Sequence, residues 1–183
     1  MRDDTSTGGT ERSRLREKHR FEDCWRWPES FERFVRERVE GHTLNVCAGE
    51  SDVGDVKVDA EPRRGDVIQG DMRNLPFRDA TFDTVVSDPP WKIGYYQRFR
   101  PFFECVRVCK PGGKVIYNAT WLPESDVCRL DTVRVRQDEE FSNASILSEF
   151  TKQPGQQTLI PATDGGNDCN IQAGTERSGG DDR

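Results

Sequence analysis

Thr81-Phe82-Asp83-Thr84-Val85-Val86-Ser87-Asp88-Pro89-Pro90-Trp91 is the stretch that decides the fold. Its first seven residues form an apolar, β-branched run, the pattern of a strand buried in a parallel sheet. The run stops at an acid, two prolines and an aromatic ring. Open α/β sheets bind their ligands outside the carboxyl ends of their strands. This sequence therefore predicts a carboxylate, a ring and fixed backbone carbonyls at a binding edge, since consecutive prolines hold φ at about −65°.

Those residue types suit a particular task. The exocyclic amine of adenine or cytosine is a poor nucleophile, because its lone pair is delocalised into the ring. Asp88 can accept one amine hydrogen and the Pro89 carbonyl the other, which turns the lone pair outward. Trp91 can stack on a base lifted from its helix. An ordinary strand end followed by a Pro-Pro turn is the alternative for the same four residues.

Three further stretches lie upstream. Asn45-Val46-Cys47-Ala48-Gly49 ends a short buried strand with a glycine, where backbone can approach a ligand closely; it also fits a plain strand-ending turn. Val56-Lys57-Val58-Asp59 ends a second strand in an acid, which fits a ribose-gripping carboxylate or a solvated turn. Gly70-Asp71-Met72-Arg73-Asn74-Leu75-Pro76-Phe77 follows a third strand over residues 66–70.

Together these stretches resemble the S-adenosylmethionine-dependent amino-methyltransferases of nucleic-acid bases. The fourth motif of those enzymes reads Asp/Asn/Ser-Pro-Pro-Tyr/Phe/Trp, and Gly70–Phe77 is similar to the third motif of class I methyltransferases. The resemblance covers residues 42–151 in unpermuted order. It implies S-adenosylmethionine as cofactor and Asp88, Pro89, Pro90 and Trp91 as the catalytic tetrapeptide. It assigns Asn45, Cys47 and Gly49 to the methionine part of the cofactor, Asp59 to the ribose, and Asp71 with the backbone of Met72 to the adenine. It implies methylation of adenine N6 in DNA. An RNA base and an inactive, methyltransferase-like binding module stay open as alternatives.

The implied fold is a Rossmann-like α/β sheet, mostly parallel, closed by a terminal antiparallel pair over residues 130–136 and 145–151. One departure stands out. Gly49-Glu50-Ser51-Asp52-Val53-Gly54 leaves about six residues between the first two strands, whereas a parallel crossover usually takes about a dozen or more. The spacing predicts a shortened first crossover without a full helix. Helices are expected over residues 28–40, capped by Gly41, and 96–109, closed by Pro111-Gly112-Gly113 before a strand over 114–118.

Composition bounds the rest. The chain has 183 residues, 33 % hydrophobic and 33 % charged, with a mean hydropathy of −0.85. It reads as a polar tail over residues 1–20, one domain over 21–152 and an acidic, disordered tail over 153–183. No apolar run is long enough for a membrane span or a leader, so a cytoplasmic protein is expected. Net charge is −6, yet arginine greatly outnumbers lysine, a balance suited to a halophilic cytoplasm.

Lys92, Arg98 and Arg100 supply local positive charge after the tetrapeptide. Lys92, Tyr95 and Tyr96 are candidates for contact with a nucleic acid, and the two tyrosines fit helix-start packing equally well. None of the six cysteines forms a Cys-x-x-Cys pair, so no metal site is expected. The domain carries no evident target-recognition module, which points to a separate specificity partner or a solitary enzyme.

Overall fold

The computed structural model describes residues 26–91, 93–94, 97–137 and 144–155. The expected N-terminal tail lies outside the described residues, as do Lys92, Tyr95, Tyr96 and all but the first three residues of the C-terminal tail.

Helix α1 spans Glu29–Arg36, followed by strands β1 (Thr43–Val46), β2 (Val56–Asp59), β3 (Ile68–Gln69) and β4 (Phe82–Ser87). Helix α2 (Phe99–Val108) runs directly into β5 (Cys109–Ala119), and β6 (Cys128–Gln137) and β7 (Ala144–Lys152) close the sheet. Strand order is β3-β2-β1-β4-β5-β7-β6. The pairs among the first five strands are parallel, and β7 is antiparallel to both β5 and β6. The fold is thus a Rossmann-like α/β sheet with the expected terminal antiparallel pair.

Alternation along the strands divides the core between two faces. On one face Phe102, Cys105 and Val106 of α2 pack with Leu44, Val46, Val85, Val115, Tyr117 and Phe150. On the other, Phe31 and Val35 of α1 pack with Val53, Val86, Ile116 and Leu147. α1 starts at Pro28, has Glu29 and Glu32 in its first turn and Arg33 and Arg36 in its last, and so matches the helix dipole at both ends.

No helix occupies residues 47–55, as the spacing predicts. Side chains tie this loop down instead. Asn45 Nδ2 donates to the Val53 carbonyl at 3.2 Å, and Gly49 N–H donates to Asp59 Oδ2 at 2.9 Å. Thr43 N–H donates to Asp55 Oδ2 at 2.8 Å, and Asp55 N–H returns to the Thr43 carbonyl at 2.9 Å. Val53, 1 % exposed, fills the space under α1 that a crossover helix would otherwise cover.

Three boundaries differ most from the sequence expectation. α1 ends at Arg36, four residues before Glu40, and Gly41 serves a different turn. Its φ is +63°, and a Cβ there would lie 2.8 Å from Asp83, whose Oδ2 accepts the His42 N–H at 2.9 Å. β5 begins at Cys109 rather than Lys114, so Pro111-Gly112-Gly113 forms a bulge inside a strand. Glycine is needed there because a Cβ on Gly113 would sit 2.7 Å from the Asp83 carbonyl. α2 begins at Phe99 rather than residue 96.

Among the described residues no helix is long and apolar enough to cross a membrane.

Candidate active site

Strand register sets the site. Val46 pairs with both Val58 and Ser87, Asp59 pairs with Gln69, and Ser87 pairs with Tyr117. The residues just past these pairs therefore share one edge: Asp71 beyond β3, Asp59 at the end of β2, Cys47 after β1, Asp88 after β4 and Asn118 near the end of β5. Neighbouring strands are about 4.8 Å apart, so this row is a continuous carboxyl-edge surface.

Cys47 stands at its middle, in the left-handed region with φ +59°. Its thiol meets Met72 Sδ at 3.5 Å. Burial pushes the thiol well up from its ordinary range, and Asp59, Cys105, Asp88 and Asp71 push it further. The Cys47 thiol thus touches Met72 and lies within electrostatic reach of Asp59, Asp88 and Asp71.

Each acid has a definite engagement. Asp59 accepts the Gly49 N–H on one oxygen and the Glu61 N–H, at 3.0 Å, on the other. That leaves acceptor capacity on both oxygens for a pair of hydroxyls. Asp71 lies beyond β3 in an exposed turn, where Asn74 N–H donates to its carbonyl at 2.9 Å. The Arg73 guanidinium grips both its oxygens at 2.8–3.1 Å and holds its carboxyl below the usual range.

Asn45 is a different case. It is fully buried and spends its amide on Val53, so it shapes the glycine loop from within the sheet.

At the tetrapeptide, Pro89 is buried, Pro90 is exposed and Trp91 is half-buried. Ile93 N–H closes a turn onto the Pro90 carbonyl at 3.2 Å. Asp88 is half-buried, and its carboxylate is held by two donors that sequence reading does not find. Trp27 Nε1 donates to Oδ2 at 2.7 Å and Asn118 Nδ2 to Oδ1 at 3.0 Å. Burial raises the Asp88 carboxyl above its ordinary value; Trp27, Asn118, Trp91 and the Arg136 charge oppose that rise.

A cleft beside the tetrapeptide is lined by Pro89, Pro90, Trp91, Ile93, Arg98 and Trp121, among others. Trp121 follows β5 and is a third residue that sequence reading misses. Its ring is set edge-on against Phe99 at 4.9 Å, and the Arg98 guanidinium lies 4.7 Å from its centroid.

Loop 71–79 is fixed from below. Leu75 N–H donates to Glu104 Oε2 at 2.7 Å. Arg107 bonds Glu104 and reaches the Leu75 and Phe77 carbonyls at 3.0 and 2.8 Å. The candidate adenine-contacting turn is therefore held by a buried ion pair on α2.

The comparisons bear on the domain and its fold. Residues 34–117 match a family model described as a methyltransferase domain. No curated protein matches the chain. Three solved structures are similar at 12 % identity, which bears on the fold. One is from work on converting a disulfide bond into a thioacetal group in echinomycin biosynthesis (TM-score 0.54, 70 % of this chain and 84 % of that one). Another is the [4+2]-cyclase SpnF (TM-score 0.51, 68 % and 80 %). The third is a chain from the complex of the Haloferax volcanii Trm112 methyltransferase activator with a methyltransferase (TM-score 0.54, 80 % and 97 %). The matched model is that of a methyltransferase domain, and S-adenosylmethionine is the cofactor that the match implies.

Proposed function

We propose that this domain methylates the exocyclic amine of a nucleic-acid base, with adenine N6 in DNA as the leading acceptor. The observation that carries the proposal is the Asp88 carboxylate at the end of β4, held by Trp27 and Asn118 beside a cleft walled by Pro89, Pro90, Trp91 and Trp121.

The residues of the carboxyl edge fit the cofactor. The Gly49 turn has φ +52°, a left-handed conformation that glycine adopts without a Cβ facing the ligand edge. Cys47 and Met72 offer soft apolar contact, and Asp59 offers acceptors for hydroxyls. Held by these residues, S-adenosylmethionine would supply an electrophilic methyl on a positive sulfur, with a neutral thioether as the leaving group.

The chain's own residues orient the amine. Asp88 accepts one amine hydrogen and the Pro89 carbonyl the other. As the nitrogen gains positive charge, the bond to Asp88 strengthens, which favours the transition state over the ground state. The proton leaves the nitrogen toward Asp88 and then solvent. Alignment supplies most of the rate, so a strong base is not needed. Trp91 and Trp121 offer ring faces and edges to a planar base, and Arg98 offers charge to a phosphate. Lys92, Tyr95 and Tyr96 follow in sequence and are assigned to the acceptor strand.

The Haloferax complex pairs its methyltransferase with an activator, which supports a separate partner here.

The test is incubation with methyl-labelled cofactor and separate pools of DNA and RNA, followed by mass spectrometry of the nucleosides. Labelled N6-methyldeoxyadenosine supports the proposal. Label only in ribonucleosides moves the acceptor to RNA. No label in either, with cofactor bound, favours a binding module.

A further inference from the structure

We propose that Trp27 is a positioning residue for methyl transfer, acting with Asn118 to hold Asp88 as a fixed, ionised hydrogen-bond acceptor; this rests on the reading of Asp88 given above. Trp27 precedes α1 and lies outside the matched residues 34–117. Its bond to Asp88 spans 61 positions of sequence.

The geometry is that of a clamp. The indole N–H meets Oδ2 at 2.7 Å and the Asn118 amide meets Oδ1 at 3.0 Å. Short bonds to an ionised acceptor are among the stronger ones in proteins. A carboxylate has about four lone-pair sites, so acceptor capacity remains for the acceptor amine beside Trp27, Asn118 and Trp91. Rotation of the Asp88 side chain breaks both bonds at once, which fixes the direction of the remaining sites.

The clamp is itself supported. The Trp27 ring packs edge-on against Phe31 at 5.3 Å, and the Arg136 guanidinium of β6 lies 4.2 Å from the Phe31 centroid. The charged and titratable groups that act on Asp88 are Arg136 from β6, Cys47 from β1 and Tyr117 from β5. Burial raises both Cys47 and Tyr117 from their ordinary values, so they stay neutral through the acid range. Of Asp88, Cys47 and Tyr117, Asp88 is then the one that titrates there.

The test is Trp27→Phe, which keeps a ring against Phe31 and removes the donor. Carboxyl-carbon NMR follows the Asp88 titration in the full chain without substrate. The expected midpoint rises by about one pH unit, the scale of one charge-assisted bond. In single turnover the acid limb of methyl transfer moves up by the same amount, and transfer at the wild-type acid midpoint falls about fivefold, with cofactor affinity unchanged.

A titration and acid limb that stay at the wild-type position overturn the proposal. Absence of transfer by the wild-type protein sinks the amino-methyltransferase reading instead, while the titration still reports on the clamp. If Trp27→Phe fails to fold by circular dichroism, 3-benzothienylalanine at position 27 replaces N–H by sulfur in the same ring shape and decides the question by the same two readouts.

Discussion

Asp59 Oδ2 accepts the Gly49 backbone N–H at 2.9 Å. One carboxylate at the end of β2 thus closes the loop that leaves β1. In a crossover with no helix over residues 47–55, this bond and the Asn45–Val53 bond supply the order that a helix would otherwise give. The acid assigned to the ribose also shapes the turn assigned to the methionine part.

Asp59→Ala is therefore expected to lower S-adenosylmethionine affinity by about tenfold or more, since a loop anchor and a polar contact are lost together. Calorimetry measures the affinity, and hydrogen exchange at Gly49 measures the anchor. Unchanged affinity with an unprotected Gly49 amide removes Asp59 from the cofactor site.

Arg107→Met should destabilise the domain by about 3 kcal/mol or more. It leaves Glu104, 3 % exposed, as a buried charge without its cation. It also strips the Leu75 and Phe77 carbonyls of a donor. Urea unfolding reads the change, and a loss under about 0.5 kcal/mol, the size typical of surface pairs, contradicts it.

Asp88 makes stability depend on pH in a defined direction. Its folded-state carboxyl is raised above the ordinary 3.8, chiefly by burial. Its contribution is then fully present below 3.8 and is lost as pH rises through the folded-state value. Asp88→Asn does not titrate. It stays hydrogen-bonded if the Asn118 amide turns over, with Trp27 donating to the new amide oxygen. Wild-type stability minus that of Asp88→Asn should fall as pH rises across this window, measured by urea unfolding. A flat difference contradicts the burial of the charge.

Much of the parallel sheet is legible in sequence because buried parallel strands read as short apolar runs. Val56–Asp59 and Phe82–Ser87 are found within a residue of their ends. β5 is misread at its start because Pro111-Gly112-Gly113 carries every local mark of a turn. The bulge against Asp83 is a property of the neighbouring strand, not of those three residues. The helix over residues 28–40 is too long in sequence because Val39 continues the apolar stripe past Arg36.

At the site, acids that end strands are legible, and their partners are not. Asn118 sits beside Asp88 only because Ser87 pairs with Tyr117. A polar residue inside a buried run was the available signal. Trp27 arrives from before α1, and a tryptophan next to a helix-starting proline gives no hint of its destination. Asp71 was read as a strand-end acid facing a ligand, and the pairing with Arg73 two residues on is a local side-chain contact that strand reasoning does not weigh.

The central claim is that Asp88 touches the acceptor amine and not the cofactor. The direct measurement is single-turnover methyl transfer by Asp88→Ala, with S-adenosylmethionine affinity measured on the same preparation. The account predicts a loss of about a hundredfold or more in transfer, the scale of a lost transition-state contact, with cofactor affinity within about threefold of wild type. Transfer at the wild-type rate would contradict it and leave Asp88-Pro89-Pro90-Trp91 as a strand end alone.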